Sequence, residues 1–182
     1  MLPENKHFLK TAVSFGFPAG LTVMSIMIAG FILTAGKGPG SSQVTGTVLM
    51  LLAFSVTFFG IGLHRKNVPE PPAGFIRSLL LGTLIALCAG VAYTLVWELY
   101  LYLTNYVFIE QYIESLIETK RARFSAPELE AELVKVNNVR LFYLNPIHRI
   151  PNTFSEIFPP GLIVAVLCCI YYQIVDYSRR DL

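Results

Sequence analysis

Four long apolar runs, nearly free of charged residues, constrain the fold of this chain more than any other feature. The first, residues 11–35 (TAVSFGFPAGLTVMSIMIAGFILTA), holds no Asp, Glu, Lys or Arg. A helix of about 20 mostly apolar residues crosses the hydrocarbon core of a bilayer. A secretory signal peptide is the alternative for a run near the N-terminus, but its apolar part is only about 7–15 residues long. We therefore interpret residues 11–35 as a permanent membrane span.

Three further runs of the same character follow, at residues 44–63, 78–103 and 159–177. Only 14% of the residues are charged, whereas soluble domains average about 25%. The charged residues gather in the segments between the runs. The sequence therefore predicts an all-α integral membrane protein, a single domain with four transmembrane helices in the lipid bilayer. The net charge of +2 is too small to indicate a nucleic-acid partner.

The distribution of Lys and Arg predicts which side of the membrane each connection occupies. With four spans, both termini share a side with the loop at residues 64–77, while the turn at 36–43 and the segment 104–158 lie opposite. The basic residues of the first side are Lys6, Lys10, Arg65, Lys66, Arg77, Arg179 and Arg180. On the other side, only Lys37 and Arg149 lie within about 15 residues of a span. Because positive residues prefer the cytoplasm, we expect both termini in the cytoplasm and residues 104–158 outside, which in a bacterium means the periplasm.

The extracytoplasmic segment, residues 104–158, contains two predicted amphipathic helices. The first has an apolar stripe at helical spacing over residues 107–117. Its acidic face, interpreted as solvated, consists of Glu110, Glu114 and Glu118. Ser125 and Glu128 form a capping box at the start of the second helix, and we expect Asn137–Asn138 to end it. These helices are predicted to lie on the outer leaflet or to cap the bundle of spans.

Prolines predict that the return to the last span is largely non-helical. They are Pro146, Pro151, Pro159 and Pro160. Each lacks a backbone N–H and disfavours a helix interior. Glu156 would then lie at or near the N-terminus of the last span, where the helix dipole favours a carboxylate. The alternative is that Glu156 pairs with His148 or Arg149 beside the outer ends of the spans.

Glu98 is an acid inside an otherwise apolar and aromatic run. It lies 21 residues beyond Arg77, a helical rise of about 32 Å, which matches the hydrocarbon thickness. The aromatic residues around it are Trp97, Tyr100, Tyr102 and Tyr106. Such residues are typical of the headgroup layer. We favour a solvated or ion-paired carboxylate at the outer interface; in the alternative, Glu98 turns inward and pairs with Arg140 or Arg149.

Small residues recur at helical spacing in the predicted spans. Gly16 and Gly20 form a GxxxG pattern in the first span, with Pro18 between them predicted to kink it. Gly82, Ala86 and Gly90 repeat every four residues in the third. Such rows let helices approach closely in lipid. We expect them to pack inside the bundle; packing against another copy or another protein is the alternative.

The order of three spans, an outer helical segment and a final span resembles a known family. The stretches FIRSLLLGTLIALCAGVAYTLVWELY (residues 75–100) and YLNPIHRIPNTFSEIFPPGLIVAVL (residues 143–167) carry the resemblance. They are similar to the bacterial membrane family catalogued as domain of unknown function 4199. The resemblance implies a four-span inner-membrane protein and imports no activity.

The residues of this sequence show no pattern typical of catalysis, of a cofactor or of a metal site. Its histidines are scattered, its three cysteines all lie in predicted spans, and no nucleotide-binding or nucleophile motif is present. We find no acid or base near the predicted bilayer midplane, which argues against ion-coupled transport. Asp176, at the end of the last span, is expected to pair with Arg179 and Arg180.

Two classes of function therefore stay open. The favoured one is a non-catalytic interaction or accessory subunit that packs against itself, as a homo-oligomer, or against a membrane-protein partner. The alternative is a transporter or enzyme that handles a small molecule or lipid in a pocket beneath the outer segment. The residues that would line this pocket are Glu98, Arg140, His148, Arg149 and Glu156.

Overall fold

The computed structural model describes residues 3–33, 42–67 and 74–180, and every element in these ranges is an α-helix. The helices are α1 (Pro3–Leu33), α2 (Ser42–Asn67), α3 (Phe75–Leu103), α4 (Val107–Arg121), α5 (Ala126–Leu144) and α6 (Pro146–Arg180). The predicted all-α class is therefore confirmed for the described residues. Lys37 and most of the predicted turn at 36–43 lie outside the described residues.

Three of the described helices are long and apolar enough to cross a membrane. They are Phe8–Leu33 within α1, Phe75–Leu103, which is α3, and Pro146–Tyr177 within α6. The chain therefore has the features of a membrane protein. The fourth predicted span, residues 44–63, lies within α2, which is not one of these three helices.

Contacts at the helix ends define how the four long helices run. The Phe8 ring near the start of α1 packs edge-on against His64 near the end of α2. Arg65 donates a hydrogen bond to Ser78 at the start of α3 and forms an ion pair with Asp176 near the end of α6. Both ends of the described chain therefore lie at one end of the bundle, which we call the inner end.

The predicted small residues face neighbouring helices of the same chain. A Cβ added at Gly16 would lie 2.3 Å from the Ile85 carbonyl oxygen, and at Gly20 it would lie 2.1 Å from that of Ala89. These two glycines therefore bring α1 against the backbone of α3. On α3 itself, Gly82 packs against Ala165, Ala86 against Gly161 and Gly90 against the Phe154 ring.

The outer segment, α4 and α5, caps the opposite end of the bundle. Asn105 and Tyr106, both with positive φ, form the tight turn between α3 and α4. Ile109 and Ile113 of α4 are buried together with Leu101 of α3 and Val136 of α5. The Phe108 ring contacts those of Phe31 and Trp97. The aromatic residues near Glu98 thus pack between α1, α3 and α4.

Two predicted helix ends are wrong. Asn137–Asn138 do not end α5, which continues to Leu144 because Val139 and Tyr143 go on packing against the α4 side of the outer segment. Nor is the return stretch non-helical. It belongs to α6, which begins at Pro146 and contains Pro151, Pro159 and Pro160 in its interior.

The membrane environment explains why α6 tolerates its prolines. Pro146 occupies the first turn, where its missing N–H would have no helical partner in any case. The other prolines each remove one backbone hydrogen bond, but a non-helical segment in hydrocarbon would leave many more groups unpaired. The continuous helix is therefore the less costly conformation.

Candidate functional site

A bidentate ion pair joins α3 to α6 at the outer end of the bundle. Arg149 Nε donates to Glu98 Oε1 at 2.8 Å, and Arg149 Nη2 donates to Glu98 Oε2 at 2.6 Å. The Arg149 side chain is 1% exposed and that of Glu98 is 23% exposed. Of the two interpretations of Glu98, the structure matches the one in which the carboxylate turns inward and pairs with an arginine of the outer region.

Arg149 also closes the C-terminus of α5. Its Nη1 donates to the carbonyl oxygens of Tyr143 at 2.7 Å and Leu144 at 3.3 Å, which lie in the last turn where helix carbonyls lack helical partners. Its guanidinium carbon lies 5.2 Å from the centre of the Tyr106 ring. The three guanidinium nitrogens thus all donate within the protein, and this side chain ties α3, α5 and α6 together.

Arg140 and His148 lie apart from this pair. Arg140 instead donates to Glu110 of α4, with Nη2 at 2.8 Å and Nε at 3.2 Å from Oε1. Both side chains are about half exposed. The exposed His148 ring stacks on Phe142, with centroids 5.4 Å apart. Of the two arginines named as possible partners for an inward-turned Glu98, Arg140 is therefore not the one that pairs with it, and His148 packs against Phe142 instead of Arg149.

Glu156 belongs to a second polar group on α6. It lies ten residues after the start of α6, so the prediction that it caps this helix is wrong. Asn152 Nδ2 donates to Glu156 Oε1 at 3.3 Å, and the Tyr93 side chain of α3 also interacts with Glu156. The Tyr93 hydroxyl lies 3.4 Å from Met27 Sδ of α1. Neither predicted partner, His148 or Arg149, pairs with Glu156.

Tyr93 and Asn152 are the two residues of this group that sequence reasoning missed. Asn152 precedes Glu156 by four residues and Arg149 precedes it by seven, which places all three on one face of a helix. This periodicity was present in the sequence, but the prolines made the stretch look non-helical. Nothing in the sequence marks Tyr93 among the other aromatic residues of α3.

At the inner end, Arg65 joins three helices. It bonds to Ser78 and Asp176, as described above. Its guanidinium carbon also lies 5.4 Å from the centroid of the Tyr172 ring. Asp176 therefore pairs with a residue of α2. The side chains of its predicted partners, Arg179 and Arg180, lie outside the described part of the chain.

Two titratable side chains of the outer segment have shifted pKa values. Hydrogen bonds donated by Lys120 and Lys135 lower the pKa of Glu132 below its ordinary value. Burial raises the pKa of Tyr143, and the neighbouring Tyr112 acts in the same direction. The partners named here, Lys120, Lys135 and Tyr112, all belong to α4 or α5.

Within residues 3–33, 42–67 and 74–180, no three His, Cys, Asp or Glu side chains are grouped so that they could hold a metal ion. The cysteines Cys88, Cys168 and Cys169 are not disulfide-bonded and are buried or half-buried. The two polar groups described above, Glu98 with Arg149 and Glu156 with Asn152 and Tyr93, contain side chains that can form ion pairs and donate hydrogen bonds.

These features define a helical membrane protein with a helical cap at one end of the bundle. Residues 14–172 match the family model described as protein of unknown function (DUF4199). Since the match covers most of the chain, the protein belongs to this family, and the resemblance in the sequence is confirmed. Comparison with curated proteins and with solved structures gives no match. The family description carries no activity.

Proposed function

We propose that this protein is a non-catalytic interaction or accessory subunit of the bacterial inner (cytoplasmic) membrane, which packs against a second copy of itself or against a membrane-protein partner. The observation that carries the proposal is an uncovered apolar surface on the outer segment. We call it the outer patch, and it consists of Leu141, Phe142, Leu144 and Ile147.

The outer patch is exposed although it belongs to the end of α5 and the start of α6, beyond the level of Glu98. Leu141 is 58% exposed and Ile147 is 77% exposed. Exposed apolar side chains concentrated in one stretch beside polar residues favour a site of protein or membrane contact. Arg140 and His148 adjoin it in the sequence, and the His148 ring stacks on Phe142, so the two would supply the polar rim that protein interfaces usually have.

The arrangement of the polar side chains gives less support to a small-molecule or lipid pocket beneath the outer segment. Such a pocket needs donors and acceptors that remain available to a ligand. The guanidinium nitrogens of Arg149 donate to Glu98 and to backbone carbonyls, while Arg140 pairs with Glu110. The five residues expected to converge are thus divided among four separate contacts.

We further propose that α2 is a fourth span and that both termini are cytoplasmic. The 26-residue length of α2 supports this, because about 20 residues suffice to cross the bilayer. The inner end of the bundle carries Arg65, Lys66 and Arg77 near the ends of α2 and α3, which agrees with the preference of positive residues for the cytoplasm.

Cysteine labelling tests this topology. In a variant whose three native cysteines are replaced by alanine, cysteines at the exposed positions Ser125 and Asn138 should react with a membrane-impermeant maleimide in intact spheroplasts. A cysteine at Asn67 should react only after the membrane is permeabilised. Labelling at Asn67 alone in intact spheroplasts would contradict the orientation.

Native mass spectrometry after extraction in mild detergent tests the interaction role. The wild-type chain should leave the membrane as a homo-oligomer or with one defined partner. Leu141→Ser combined with Ile147→Ser should leave as a folded monomer, while the control Ala131→Ser, at an exposed α5 position outside the outer patch, should behave as wild type. A wild-type protein that is already monomeric and without a partner would contradict the proposal.

A further inference from the structure

Packing between α3 and α6 gives the depth of Glu156 in the membrane. Two residues before Glu156 on α6, the Phe154 ring packs against Gly90 of α3. Five residues after it, Gly161 packs against Ala86 of α3. The backbone of Glu156 is therefore level with the part of α3 between Ala86 and Gly90.

That level is far from both ends of the span. Along α3, Ala86 lies about 14 Å beyond Arg77, and Gly90 lies about 12 Å before Glu98, at 1.5 Å of rise per residue. The hydrocarbon core is about 30 Å thick. The side chain of Glu156 meets Tyr93, which is still about 8 Å before Glu98. Glu156 thus lies inside the hydrocarbon layer, where the sequence had indicated no acid.

The surroundings of Glu156 in the described chain are uncharged. Among the described residues, no Lys, Arg or His forms an ion pair with it, and Arg149 of the same face pairs with Glu98. Its neighbours are Asn152 of α6 and Tyr93 of α3, and Tyr93 in turn contacts Met27 of α1. In α2, residues 42–50 contain no titratable side chain.

Glu156 is exposed at the surface of the protein, so neighbouring residues cover only part of it. At the depth derived above, the uncovered part would face hydrocarbon. A carboxylate in hydrocarbon without a positive partner is costly, whereas the neutral acid needs only the hydrogen-bonding partners that Asn152 and Tyr93 supply. Intramembrane acids are rare, and they typically belong to proton relays or ion pathways.

We propose that Glu156 is a proton-binding site within the membrane: its carboxyl group carries a proton at neutral pH and exchanges it with the extracytoplasmic side. Binding forms one O–H bond on the carboxylate, and release returns the proton to water outside. The proposal does not depend on the interaction role, because a subunit with or without a partner can contain such a site.

The direction of exchange follows from the polar side chains next to Glu156. Asn152 also interacts with Tyr143 of α5, whose ring contacts that of Tyr112 in α4. Polar groups therefore extend from Glu156 to the base of the outer segment. Toward the inner end, the next contacts between α3 and α6 pair Ala86 with Gly161 and Gly82 with Ala165, all of them without a polar side chain. A proton therefore has hydrogen-bonding side chains along the outer route, whereas the described contacts of Gly82 and Ala86 with α6 supply none.

Infrared difference spectroscopy of the full chain in lipid nanodiscs tests this site. Exposed glutamates, with an ordinary pKa of about 4.3, are ionised at pH 7. The C=O band of a protonated carboxylic acid at pH 7 therefore reports only an acid shielded from water. We expect this band in the wild type, its loss in Glu156→Gln, and no change in Glu114→Gln, a control at an exposed position of α4.

Two further variants keep the test decisive if Glu156→Gln does not fold. Tyr93→Phe removes one hydrogen-bonding partner and should shift the band while leaving it present. Asn152→Leu should slow the loss of the band after a jump to high pH, because it interrupts the outer route. Absence of the band from the wild type at pH 7 would mean that Glu156 is charged, and a band unaffected by Glu156→Gln would assign it elsewhere. Either result overturns the proposal.

Discussion

Two regions of the molecule are held together in different ways. One is the bundle, where α3 contacts α1 and α6; the other is the outer segment, formed by α4 and α5. In the first region, glycines let backbones touch, and a Cβ at Gly20 would lie 2.1 Å from the Ala89 carbonyl oxygen. In the second, an apolar cluster that includes Ile109 and Val136 is buried beneath ion pairs such as Glu110–Arg140.

The solvent explains this difference. Lipid tails are as apolar as the side chains they touch, so helices in the bilayer gain little from burying apolar surface and associate through close packing. In water, burial of apolar surface is favourable, and the buried apolar cluster of the outer segment is of the kind that such an environment stabilises. Arg149 lies where the two regions meet, and it uses buried hydrogen bonds to attach one to the other.

The largest effect is expected at the glycine contact. Gly20→Leu would drive a side chain into the backbone of α3, which cannot move aside as a flexible side chain can. The cost should exceed the range of about 1–3 kcal/mol typical of overpacking, and we expect no folded, monodisperse protein in detergent. Gly30→Leu is the control, since a Cβ there meets nothing within 4 Å. Equal stability of both variants in size-exclusion and melting experiments would show that close packing does not hold α1 to α3.

The next largest effect is expected where the two regions meet. Glu98→Gln leaves the guanidinium of Arg149 buried without a counter-charge. Breaking a buried pair costs about 3–5 kcal/mol, and the partial exposure of Glu98 places the expected loss of unfolding free energy near the lower figure. Glu110→Gln breaks an exposed pair and should cost only about 0–1 kcal/mol.

Melting curves in the same detergent measure both variants. Combining Glu98→Gln with Arg149→Met should recover part of the loss, because it removes the uncompensated charge. If Glu98→Gln were as stable as Glu110→Gln, the ion pair would not fasten the outer segment to the bundle.

The smallest effect is expected in the outer segment itself. The Lys120 and Lys135 contacts lower the pKa of Glu132 in the folded state, so their stabilising contribution is present above the ordinary glutamate pKa of about 4.3. It is lost as the pH falls through the lower, folded-state value. The stability difference between wild type and Glu132→Gln should therefore be small at neutral pH and vanish in acid. A difference that grows on acidification would contradict this sign.

The sequence predicted the features that depend on local composition. Apolar runs located α1 and α3, helical spacing located α4, and the resemblance identified the family. The prediction failed at α6. Proline breaks helices in soluble proteins, where the carbonyl group that loses its helical partner can accept a hydrogen bond from water. In hydrocarbon that alternative is absent, and the helix continues through Pro151 and Pro159. Because the sequence placed the start of α6 too late, it also placed Glu156 at the helix end and not ten residues inside the helix.

The sequence by itself determined that this chain is helical and membrane-embedded, because hydrophobicity and helical period are local properties that every short stretch carries. The tertiary structure decided which charges meet. Arg140 and Arg149 were equal candidates for Glu98 by composition and by order along the chain. The turn between α5 and α6 directs Arg149 into the bundle and leaves Arg140 beside Glu110 on α4. That choice depends on the relative positions of three helices, which no single stretch of sequence encodes.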